Sequence, residues 1–83
     1  MSQADKFMNK VSFELRGEHV ALCDLLKLTG IADSGGLGKL LIANGEVTVD
    51  GLPEARKTAK IRANQTVECR GRQILVVAPA VQE

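Results

Sequence analysis

The sequence predicts a small α+β domain in which two short helices pack on a small, mostly antiparallel, curved sheet. Three observations point there. An alternating segment, "VSFELR" at Val11–Arg16, comes before anything that reads as helix. Two stretches of helical spacing then follow back to back, "HVALCDLLKLTG" and "IADSGGLGKLLIANG". Beyond Gly45 the chain is short apolar–polar alternation, punctuated by Asp50-Gly51 and Arg70-Gly71.

Residues 1–10 read as a flexible tail, residues 11–78 as one domain and residues 79–83 as a second short tail. In the first strand Val11, Phe13 and Leu15 share a side, so it is expected to be half-buried, and Gly17 breaks it. The first helix places Leu22, Leu25 and Leu26 on a wide apolar face and stops at Gly30. Ser34 is a good N-cap for the second helix, where Leu37, Leu40 and Leu41 repeat at i, i+3 and i+4 before Gly45 ends it. Gly35, Gly36 and Gly38 each cost up to about 1 kcal/mol against Ala at an interior helix position. Close backbone approach, to the other helix or to a phosphate, would account for them. "EVTVDG" reads as a strand entering a tight turn, Leu52–Thr58 as irregular, and "AKI" as an edge segment. "NQTVEC", Arg70-Gly71 and "RQILVV" make a closing hairpin that Pro79 ends.

Eighty-three residues with a formal charge of +1 predict no polyanion partner by their total. The distribution is more telling. Residues 1–53 carry five cations against seven acids, whereas residues 54–72 carry six cations against Glu54 and Glu68. Arg56, Lys57, Lys60 and Arg62 fall within seven residues just past the Asp50-Gly51 turn. Such asymmetry fits an acidic partner on one face or a solvated basic edge that discourages strand pairing. With no Trp or Tyr and only Phe7 and Phe13, the chain lacks the aromatic platform on which single-strand binders stack bases. Charge and shape remain as its means of meeting nucleic acid.

Little in the sequence supports chemistry. Cys23 and Cys69 are far apart, His19 is the single histidine, and no zinc-ligand spacing exists. "SGGLGK" lacks the spacing and the following Ser or Thr of a phosphate loop. A non-enzymatic protein without cofactor, metal or small-molecule substrate is expected. "MSQADKFMNK" has no apolar core and no run approaches a membrane span, so a cytoplasmic protein with reduced thiols is expected.

At "CDLLKLTG" (Cys23–Gly30), Ser34, "LLIANGEVTVDG" (Leu40–Gly51) and "KIRANQTVE" (Lys60–Glu68) the sequence resembles the S-four-type RNA-binding domain, the αL motif. The likeness runs from about Leu22 to Val77 and is strongest to small stand-alone bacterial members. It implies recognition of structured RNA (ribosomal, transfer or small) by the helices and the basic segment; so few exposed apolar signals make a monomer the default. Carried over residue by residue, Ser34 opens the second helix, Lys39 lies along it, and Arg56, Lys57 and Lys60 form the basic loop, with Arg62 beside them. Two positions depart from the family pattern: Gly35 stands where an Arg is usual, and Asp50 where a turn Asn is usual.

Two other readings compete. A helix-turn-helix would have to read DNA with a second helix carrying only Lys39 and apolar or Gly residues, which offers almost nothing to base edges. A small adaptor on a ribosomal or RNA-processing assembly would use the basic loop against an acidic protein surface.

Overall fold

Two tight turns organise the sheet. Asp50 and Gly51 have φ of 53° and 85°, and Arg70 and Gly71 have 53° and 79°. Positive φ at both central residues is the type I′ turn, whose twist matches that of the strands it joins. The structure, a computed structural model, describes residues 9–79. The elements are β1 (Asn9–Glu14), β2 (Val20–Ala21), α1 (Leu22–Leu28), α2 (Gly35–Ala43), β3 (Val47–Val49), β4 (Leu52–Pro53), β5 (Lys60–Ile61), β6 (Thr66–Cys69) and β7 (Arg72–Val77). The expected tails lie outside the described residues over 1–8 and 80–83.

Five strands form one sheet in the order β1-β7-β6-β3-β4, and β2 pairs with β5 as a separate ribbon. Every pairing is antiparallel except β1 with β7, which runs parallel from Asn9↔Arg72 to Glu14↔Val77. A parallel pair needs a long crossover; here the rest of the domain is that crossover, a relation no local pattern could announce. β1 also begins two residues before the expected Val11.

The first helix is shorter than the periodicity indicated, because Val20 and Ala21 leave it to pair with Ile61 and Lys60. Thr29 is its C-cap and Gly30, at φ 83°, follows. α2 begins after Ser34, whose hydroxyl oxygen accepts from the Leu37 N–H at 3.1 Å. It ends with the Gly45 N–H donating to the Ile42 carbonyl and the Glu46 N–H to that of Leu41, the paired bonds of a Schellman cap.

The buried face of α2 differs from the expected one. Gly38, Leu41 and Ile42 are buried, Leu37 is half-buried, and Leu40 is 54% exposed. A Cβ on Gly38 would stand 3.0 Å from the Cys23 carbonyl oxygen, so α2 crosses α1 at nearly direct backbone contact. That crossing explains Gly38. Gly35 has open space around it, and Gly36 meets only the Ser34 hydroxyl at 3.8 Å. Both helices cover one face of the sheet. Leu22, Leu25 and Leu26 of α1 join Leu41, Ile42, Val47, Ile61, Val67, Ile74 and Val76 in one buried hydrophobic core. Each such side chain contributes roughly 1.5–3 kcal/mol on burial. On the other face Thr48, Glu68 and Gln73 lie in one row, where Glu68 accepts from both neighbours at 3.4 Å.

Candidate nucleic-acid interface

Backbone hydrogen bonds to α1 hold the middle of the basic loop. Ala21, the N-cap of α1, offers no side-chain acceptor, which would leave the first N–H groups of the helix unpaired. The loop supplies them instead. The Leu22 N–H donates to the Ala59 carbonyl at 2.9 Å and the Cys23 N–H to the Lys57 carbonyl at 3.0 Å. Ala59 is buried, and its N–H closes a turn on the Arg56 carbonyl at 3.2 Å. Cys23 is therefore a pivot: its N–H holds the loop, and its carbonyl abuts Gly38 of α2. Loop and second helix both meet α1 at Cys23, and Lys39, next to Gly38, is exposed.

The cations on this loop are not equivalent. Arg56 forks onto Glu54, with Nε to Oε2 at 3.1 Å and Nη2 to Oε1 at 3.3 Å, while its backbone N–H reaches the same carboxylate at 3.0 Å. The pair holds the Glu54 carboxyl below the usual range and pushes the Arg56 guanidinium up, the hydrogen bond being the main cause of both shifts. Arg56 itself is 78% exposed, so the pair adds little stability but occupies one guanidinium edge. Lys57, Lys60 and Arg62 are exposed and make no ion pair among the described residues. Arg56, Thr58, Ala59 and Lys60 line a shallow concavity between them.

Arg62 opens a turn latched to the rest of the sheet. Its N–H donates to Gln65 Oε1 at 2.7 Å, Gln65 Nε2 donates to Asp50 Oδ2 at 3.4 Å, and the Thr66 N–H donates to Asp50 Oδ1 at 2.9 Å. Asp50 thus serves as a joint between two turns. An acid at this position has internal donors to satisfy it.

A second group of cations lies at the other end. Arg70 forks onto Glu46 at 2.6 and 3.3 Å, lowering the carboxyl's pKa and raising its own. Arg72 Nη1 donates to the Gly30 carbonyl at 3.4 Å, beyond the C-terminus of α1. β6 separates this hairpin from the Arg62 turn by roughly three strand steps of about 3.4 Å. Arg70 and Arg72 thus sit on the hairpin at the far end of β6 and not on the loop itself.

The structure therefore brings Arg56, Lys57 and Lys60 together on one loop, sets Arg62 just beyond, and anchors the loop to the helix that α2 crosses. Ser34 acts as a helix cap. Sequence reasoning missed the tethering acids. Glu54, two residues before Arg56, was there to be noticed; Glu46, far from Arg70 along the chain, gave no signal. Both cysteines are buried, and burial pushes the Cys69 thiol up, with Glu46 adding to the effect. Among the described residues no His, Cys, Asp and Glu cluster could hold a metal, and no helix is long and apolar enough to cross a membrane.

Comparison with known proteins agrees with this architecture. The S4 domain family matches residues 13–77. YbcJ of Escherichia coli (strain K12) is 55% identical over 60 residues, which cover 72% of this chain and 86% of YbcJ. The solution structure of Escherichia coli YbcJ, with an αL motif involved in RNA-binding, superposes with a TM-score of 0.68 at 47% identity, covering 94% of this chain and all of that one. The 30S ribosomal protein S4e of Thermoplasma acidophilum gives a TM-score of 0.54 at 26% identity over 70% of this chain and 31% of S4e. These relatives bear the names of RNA-binding and ribosomal proteins, not of enzymes. The chain belongs to the S4 domain family.

Proposed function

We propose that this chain is a non-enzymatic, cytoplasmic protein that binds structured RNA as a monomer, with the loop from Arg56 to Arg62 on the phosphate backbone and Ser34 and Lys39 of the second helix beside it. The observation that carries this reading is that Lys57, Lys60 and Arg62 are exposed without acidic partners on a loop whose carbonyls are held by α1. Arg gives a planar fork for phosphate and Lys a mobile point charge, while the rigid loop limits the entropy lost on docking. Membership of the S4 domain family and the αL motif of YbcJ support RNA as the ligand. The likeness to S4e makes ribosomal RNA the first target class to test.

The test is binding of a labelled, folded ribosomal-RNA fragment across a salt series. The native chain is compared with the triple substitution Lys57→Ala, Lys60→Ala, Arg62→Ala. Each lost phosphate contact removes about 0.7–0.9 from the log–log slope, so a flattening of roughly two to three units is expected. A slope that the triple substitution leaves unchanged would sink the reading and turn attention to an acidic protein partner.

A further inference from the structure

A trough of about 250 Å³ opens beside the basic loop, lined by Phe13, Arg16, His19, Val20 and Leu28. Its walls are hydrocarbon: Phe13 and Val20 are half-buried, and Leu28 is 62% exposed. The exposed Arg16 and His19 contribute a guanidinium and an imidazole. Phe13 is the single aromatic carbocycle among the described residues, and it lies here. Pockets for drug-sized ligands run to roughly 300–1,000 Å³; this one is on the scale of a single heteroaromatic ring system.

Its position matters as much as its lining. β2 pairs with β5 through Val20↔Ile61 and Ala21↔Lys60, and one residue further along each strand stand His19 and Arg62. Phe13 pairs with Val76, whose carbonyl accepts from the Asn64 N–H and whose N–H donates to the Gln65 carbonyl. β7 thus lies between Phe13 and the Asn64–Gln65 turn, and the trough approaches Arg62 through His19, which stands opposite it across the ribbon.

We infer that the trough receives one unstacked base of the bound RNA while Lys60 and Arg62 hold the adjoining phosphates. The inference rests on the RNA-binding reading above and extends it from backbone to base. Every base has an apolar π-face, which the hydrocarbon walls shield from water and against which a guanidinium or imidazole can stack. Arg16 in the lining, with Arg62 opposite His19, suits a polyanion and disfavours a basic peptide; Glu18, beside His19, is outside the lining. The sparse aromatic content that rules out a stacking platform leaves room for one such contact.

The test uses an RNA hairpin with a single bulged 2-aminopurine and a fully paired control, titrated with the intact chain. The absence of Trp and Tyr keeps the protein's own emission out of the way. A seated base should make the bulged RNA bind roughly 5- to 100-fold tighter than the control and change its fluorescence. The surface pair His19→Ala, Leu28→Ser should abolish both effects while preserving the salt slope, and the circular-dichroism spectrum verifies its fold. Equal affinity for the two RNAs, with silent fluorescence and a steep salt slope, would overturn the trough assignment and leave the loop reading standing. If neither RNA binds, the loop reading falls and adenosine 5′-monophosphate decides the trough alone. Shifts of the Phe13 and His19 ring protons would uphold it; unmoved rings would overturn it.

Discussion

The loop from Arg56 to Arg62 and the hairpin at Arg70–Arg72 draw on the same basic stretch of sequence, yet they present different surfaces. At the hairpin, Arg70 is forked onto Glu46 and Arg72 reaches the Gly30 carbonyl. At the loop, only Arg56 is tied, to Glu54, and three further cations face solvent without an acid. The backbone differs too. The hairpin is a strand-closing turn, whereas the loop's carbonyls complete the first turn of α1. Formal charge along a chain is therefore a poor count of the charge offered to a partner; pairing decides which cations remain available.

The largest effect should come from the support that both helices share. Gly38→Val would drive a branched side chain against the Cys23 carbonyl, already 3.0 Å from a bare Cβ. Overpacking of this kind costs about 1–3 kcal/mol, to be read from the urea midpoint. It should weaken RNA binding through the loop that Cys23 holds; an unchanged midpoint would show that the crossing has slack.

Next comes Asp50→Ala, which removes the acceptor of the Thr66 N–H and puts Ala at φ 53°. The loss should be about 1–2 kcal/mol in thermal or chemical unfolding. Asp50→Asn keeps an acceptor and tolerates that backbone region, so it should cost much less. Equal losses for the two would mean that the turn, and with it the Arg62 platform, depends on the negative charge.

Glu54→Gln sharpens the contrast from the other direction by weakening the hold on Arg56. The log–log salt slope of RNA binding should steepen by just under one unit. Protonation should act the same way, and its sign is set by the pair. The folded carboxyl lies below its ordinary range, so the pair's stabilisation is complete above the unfolded value and is lost as pH falls through the folded value. Between pH 7 and the top of the carboxylate range nothing should change; steepening should begin only in more acidic buffer. The smallest effect belongs to Arg70→Ala with Arg72→Ala, which should shift the slope by less than about half a unit. A shift of two units would erase the distinction between the two ends.

Much of the fold was legible because local chemistry specified it. Asp50-Gly51 and Arg70-Gly71 became type I′ turns, Ser34 became a cap, and Gly30 and Gly45 took positive φ beyond the helix ends. Whatever depended on distant partners was hidden. The parallel pairing of β1 with β7 joins the two ends of the domain, and Val20–Ala21 left a helical pattern because Lys60–Ile61 offered a ladder. Leu40 looked like a core residue by spacing, but Gly38 took the contact because close helix crossing favours the smallest side chain. The candidate site divides the same way. Its cations could be counted from the chain, whereas their tethers to Glu54 and Glu46, and the loop's anchorage on α1, needed three dimensions.

The most direct test of the central claim is to follow the backbone amide resonances of the intact chain during titration with a folded RNA fragment. The largest shifts should fall at Arg56–Arg62 and around Lys39, with Arg70–Gln73 nearly unmoved. Dominant shifts at Arg70–Gln73, or along Thr48, Glu68 and Gln73 on the open sheet face, would contradict it.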